Sequence, residues 1–205
     1  MTKPPKGHTP ALAGAEREYE AIRDPAQLEA LAEPTRYAIF ESLQHGPNSI
    51  RGIAEHLDRE PGSLYRHIAL LEAMGLVKRV GQVPTERRAA WIYAWAHENP
   101  AFGYAPDDPV ALSGLLKIVD VMTQRASREF AEALEAGDVT LRGPERNALA
   151  SQFQGWLNAD ELARLNELLG ETIELLRAGT RRPDTQLVSL ISVLRPPRTR
   201  SPGNP

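Results

Sequence analysis

Residues 31–80 read LAEPTRYAIFESLQHGPNSIRGIAEHLDREPGSLYRHIALLEAMGLVKRV, and residues 87–95 read RRAAWIYAW after a turn-rich gap. Upstream, Pro25 with Asp24 as cap predicts a short helix over 26–32. Pro34 opens the next helix, with Ile39, Phe40 and Leu43 on one side, and Gly46-Pro47 ends it. Asn48 or Ser49 caps a third helix, in which Ile50, Ile53, Ala54 and Leu57 recur at helical spacing. The tetrad Asp58-Arg-Glu-Pro61 is a turn. Over 62–74, Leu64, Ile68, Leu71 and Met74 share one face of a fourth helix, which Gly75 stops. Residues 76–80 form a strand and 81–86 the tip of a hairpin. Residues 89–95 return with Trp91, Tyr93 and Trp95 alternating against Ile92 and Ala94.

That order is the layout of a winged helix-turn-helix. The expected fold is mainly α with a small β-wing, followed by a C-terminal helical region ending in a short strand. In such a module the helix over 49–57 crosses the DNA backbone, and the helix over 62–74 lies in the major groove. Its apolar positions face the core, which turns Ser63, Tyr65 and Arg66 toward DNA. His67 faces either the groove or the core. Arg66 can bind guanine O6 and N7 in a bidentate way, and Ser63 and Tyr65 can donate to phosphates or base edges. Lys78, Arg79, Arg87 and Arg88 flank the hairpin, where they can follow phosphates or the minor groove. Ser49, at the head of the supporting helix, completes the candidate set.

The formal net charge of the 205 residues is -3, which taken as an average argues against DNA binding. The balance is uneven, however. Residues 60–95 carry five Lys/Arg against three Asp/Glu, and residues 101–194 carry nine against fourteen. A basic face beside an acidic remainder attracts phosphate on one side only. The chain has no cysteine, so disulfides, thiolate metal sites and a cysteine nucleophile are excluded. That fits a cytoplasmic location. No apolar run approaches the roughly 18–20 residues that span a bilayer, and no membrane partner is expected. The first residues lack the apolar core of a secretory signal.

Two stretches of the domain also carry a resemblance. Residues 31–40, LAEPTRYAIF, resemble the L-x-D/E-P-T-R-x-x-I-L opening of ArsR-type winged-helix transcriptional regulators. Residues 63–77, SLYRHIALLEAMGLV, are similar to the recognition helix and first wing strand of that family. The resemblance covers about residues 31–93. It implies a bacterial homodimer reading a palindromic operator in double-stranded DNA, most often as a repressor released by a ligand. Metal-sensing relatives carry a cysteine pair at the supporting helix, which begins Asn48-Ser-Ile-Arg here, so thiol-based sensing is not expected. Tyr65 stands where relatives have a smaller serine, so the operator sequence does not transfer.

The remaining chain divides by composition. Residues 1–14 and 195–205 read as disordered tails, 15–96 as the winged domain, and 97–109, with its three prolines, as a linker. Residues 110–194 read as a helical region for dimerisation, with room for a small-molecule effector. Within it, helices are predicted over 110–136, over 144–156 and from the Asn158/Glu161 capping box to Gly179, and a strand over 186–194. The width of the leucine stripe after Asn158 predicts burial on more than one side. His45, His56 and His97 lack metal-binding spacing, and Asp107-Asp108 reads as a helix cap. Neither a phosphate loop nor a nucleophile elbow occurs, so no cofactor, no metal and no catalytic residue is expected. A winged-helix protein-interaction module and an effector-gated regulator remain alternatives to a constitutive DNA-binding regulator.

Overall fold

The computed structural model describes residues 20–84, 89–103, 107–180 and 182–196. The described residues open with β1 (Glu20–Ile22) and continue through α1 (Pro25–Leu31) and α2 (Pro34–Ser42). A 3-10 turn and a two-residue strand, β2 (Asn48–Ser49), lead into α3 (Ile50–His56) and α4 (Pro61–Ala73). The wing strands β3 (Val77–Val83) and β4 (Ala90–Trp95) follow, then β5 (Pro100–Phe102) and the helices α5 (Pro109–Ala136) and α6 (Ala159–Ala178). The order is that of a winged helix-turn-helix followed by helices.

Caps fix where the helices start. Asp24 accepts the N–H of Ala26, and Pro25 occupies the first turn, where its missing N–H costs nothing. Glu33 caps α2 and accepts from the N–H groups of Thr35 and Arg36. Ser49 caps α3 and accepts from Gly52. Between α3 and α4 the chain turns at Asp58, whose φ of 50° lies in the left-handed region that Asp tolerates better than most residues. Gly75 ends α4 at φ 69° and sends the chain into β3.

The core lies among these short helices. Leu28, Leu31, Ile39, Ile53, Leu64, Leu71 and Leu76 are fully buried, and Ile68 nearly so. The sheet order β2-β4-β3 is antiparallel, with a register shift between Arg79 and Gly81 that leaves Val80 as the extra residue of a bulge. Trp95 packs its ring on Phe40 and donates its indole N–H to the Phe40 carbonyl at 2.7 Å, which joins the wing to α2.

α5 is a 28-residue helix, about 42 Å long. Its first half lies on α1, where Ala111, Gly114 and Ile118 are buried. Gly114 permits this approach: a Cβ there would lie 2.8 Å from Leu28 Cβ. Gly114→Val is expected to lower stability by about 1–3 kcal/mol in a denaturant melt, because the two helices would have to move apart. Lys117 adds an exposed pair with Glu29 at 2.8 Å.

Four expectations need correction. Residues 97–109 are not simply a linker, because β5 pairs in parallel with β1. Residues 144–156 form no helix and are almost wholly exposed, since no neighbouring apolar surface is there to order them. Residues 186–194 form no strand, because nothing offers them a ladder partner. α6 keeps its expected capping box, but it is not buried on two sides: Leu162, Leu168, Leu175 and Leu176 are exposed.

Candidate nucleic-acid interface

The 3.6-residue period of α4 sorts its side chains into two faces. Leu64, Ile68 and Leu71 point into the core, and Ser63, Tyr65, Arg66 and Ala69 point out. Tyr65 is 60% exposed. Ser63 Oγ donates to the Glu60 carbonyl at 2.7 Å, which leaves its lone pairs outward. α3 packs against α4. At its head, the Ser49 side chain is used as the cap.

His67 is not outward like its neighbours. Its side chain is 11% exposed, and Nδ1 lies 3.3 Å from Glu33 Oε2. Its Nε2 accepts from Arg66 Nε at 3.2 Å. Burial lowers the pKa of His67, and Glu33 only partly opposes that shift. Glu33 titrates below the ordinary carboxyl range: burial works against this, but the N–H groups of Arg36 and Thr35 outweigh it. Arg36 also donates through Nε to the Ala30 carbonyl, tying α2 to the end of α1.

The wing cations are partly engaged. Arg79 pairs with Glu72 at 2.8 Å and stacks over Trp91, 5.0 Å from the ring centroid. Lys78 Nζ donates to the Ala96 carbonyl at 3.2 Å and stays exposed. Arg87 and Arg88 lie outside the described residues. Of the alternating aromatics, Tyr93 is buried, Trp95 is half-buried and Trp91 lies under Arg79.

Sequence reasoning missed two residues around this face. Glu33 is a helix cap of an unusual type, placed before Pro34, and the charge of Arg36 three residues on was the available signal. Arg59, in the turn, adds a cation near His67. A separate polar cluster behind α3 was also missed. Arg125 of α5 reaches Glu41 of α2 at 2.5 Å, and the His45 and His56 rings stand 6.2 Å apart. Among the described residues, no group of three or more His, Asp or Glu is placed to hold a metal ion, and no helix is long and apolar enough to cross a membrane.

A family model described as a helix-turn-helix domain matches residues 31–80. Those residues run from the end of α1 to the wing, so the chain carries a helix-turn-helix domain there. Among solved structures, the chain is similar to one described as a possible transcriptional regulator for arsenical resistance. Identity is 23%, the TM-score is 0.29, and the similarity covers 53% of this chain and 96% of that one. No curated protein matches.

Proposed function

We propose that this chain is a DNA-binding transcriptional regulator of the cytoplasm that works as a homodimer on double-stranded DNA. The observation that carries the reading is the outward face of α4. Ser63, Tyr65 and Arg66 stand exposed on a helix whose other side is anchored in the core. The major groove is about 12 Å wide and admits one such helix. The helix-turn-helix match on residues 31–80 supports the same role.

In this reading Arg66 contacts guanine, while Ser63 and Tyr65 contact base edges or phosphates. Lys78, Arg79, Arg87, Arg88 and Ser49 contact the backbone, and no residue has a catalytic role. The resemblance of residues 31–40 and 63–77 to ArsR-type regulators favours repression at a palindromic site. Residues 110–194 form the region that pairs two copies. Val110 and Leu116 on α5 and Leu162, Leu168 and Leu175 on α6 are exposed, as are Phe153 and Trp156 between them. Apolar surface on that scale is uncommon on a monomer.

Selection from random-sequence duplexes, followed by anisotropy titration, tests the proposal. The expected result is an enriched inverted repeat bound by two chains per duplex. Arg66→Ala is expected to reduce discrimination against a scrambled duplex by about 5- to 100-fold. No enriched sequence would sink the reading in favour of an interaction module. A titration that depends on an added metabolite would favour effector gating.

A further inference from the structure

Glu33, Arg36, Arg66, His67 and Leu70 line a shallow groove between α2 and the outward side of α4. The His67 ring stands between Glu33 and Arg66, with one nitrogen toward each. An ionised carboxylate has no proton to give, and a guanidinium has no lone pair to offer. With Nδ1 facing the carboxylate at 3.3 Å and Nε2 accepting from Arg66, the arrangement calls for the neutral Nδ1–H tautomer. A doubly protonated ring would set an N–H at Nε2 against the Nε–H of Arg66. Two donors and two like charges would then face each other across 3.2 Å.

We infer that Glu33 and His67 act as a positioning relay for Arg66: Glu33 fixes the ring, and the ring fixes the guanidinium. This rests on the reading of Arg66 as the base-contacting residue. Glu33 is itself held by the backbone N–H groups of Thr35 and Arg36, so the chain of contacts is anchored in α2. Engaging Arg66 through Nε leaves both Nη groups free as the paired donors that guanine O6 and N7 require. A flexible arginine ordered before binding loses less freedom when DNA arrives.

The relay is pH-sensitive in a particular direction. The charged groups facing His67 are Glu33 and Arg36 from α2, Arg66 from α4 and Arg59 from the turn. Three cations and a buried position oppose protonation, and only one carboxylate favours it. The relay is complete above the ordinary histidine value and is lost as pH falls through the lowered one. A histidine that served only to pair with Glu33 would behave oppositely, since acid would tighten that pair.

The test uses the full chain, a duplex selected by the wild type at about pH 7.5, and its scrambled counterpart. The readout is the ratio of the two Kd values. In the wild type this ratio is expected to fall about three- to tenfold between about pH 7.5 and pH 5.5. His67→Ala should lose a similar factor at the higher pH and change little on acidification. His67→Gln keeps an amide donor and acceptor without a titrating proton, so it should retain most of the ratio and hold it across the range. Ring nitrogen shifts of the free protein should report the Nδ1–H tautomer. An unchanged ratio in His67→Ala, a wild-type profile reproduced by His67→Gln, or an Nε2–H tautomer overturns the relay alone. If the wild type enriches no duplex at all, the DNA reading fails, and the tautomer still tests the contacts.

Discussion

Cutting Leu71 back to alanine is expected to lower the unfolding free energy by about 3–5 kcal/mol. Leu71 is fully buried on the inner face of α4, in one core with Leu64, Ile68 and Leu76. Removing its side-chain methyls forfeits their transfer from water and leaves a cavity that α4, held at both ends by turns, cannot close. A domain of this size is stable by about 5–15 kcal/mol, so the loss is a large fraction of the total. The measurement is the urea midpoint with the slope unchanged. Tyr65→Ala on the outward face of the same helix supplies the contrast, at within about 0.5 kcal/mol of wild type. Equal effects at the two positions would mean that the faces of α4 are assigned wrongly.

Arg125→Met is expected to cost about 2–3 kcal/mol near neutral pH, for a different reason. Arg125 Nη1 and Glu41 Oε2 are buried, and neither atom makes another hydrogen bond among the described residues. Removing the cation leaves a carboxylate stranded between α2 and α5. Burial already raises the Glu41 pKa, Arg125 lowers it in part, and Glu129 adds to the rise. Without Arg125 the folded value climbs further above the ordinary 4.5. A folded value above the unfolded one means that the penalty is absent in acid and grows as pH rises through the folded value. The stability gap between variant and wild type should therefore narrow from about pH 7 to about pH 5. The double substitution Glu41→Gln with Arg125→Met should recover most of the loss, since neither buried group then carries a charge. A gap that stays constant with pH and survives the double substitution would assign the effect to lost packing instead.

Much of the domain was legible because its signals are local. Asp24 before Pro25, Asn158 three residues before Glu161, and Asp108 before Pro109 mark helix starts within a few residues. The apolar period of α4 is long enough to fix its faces, and so the exposure of Ser63, Tyr65 and Arg66. His67 sits between the two faces. Its direction depends on Glu33, thirty-four positions away, which no periodicity carries. β1 and β5 have three residues each and show no alternation, so their pairing was not visible. The run over 186–194 failed for the opposite reason: its Val, Ile and Leu content suits a strand, but a strand exists only where a second one pairs with it. The contact between Arg125 and Glu41 joins two helices on whose surfaces each residue alone looks like ordinary solvated charge.

The parallel pairing of Glu20–Ile22 with Pro100–Phe102 gives the winged domain a closed base. Paired strands stand about 4.8 Å apart, so the chain enters and leaves the domain through one narrow neck. Residues 23–99 thus form a ring sealed by a few backbone hydrogen bonds. α5 is attached to the domain at this neck, along α1 and at the Arg125 tie. Beyond the neck, α5 folds back onto α1, so the C-terminal helices connect to α4 by way of α1 and α2.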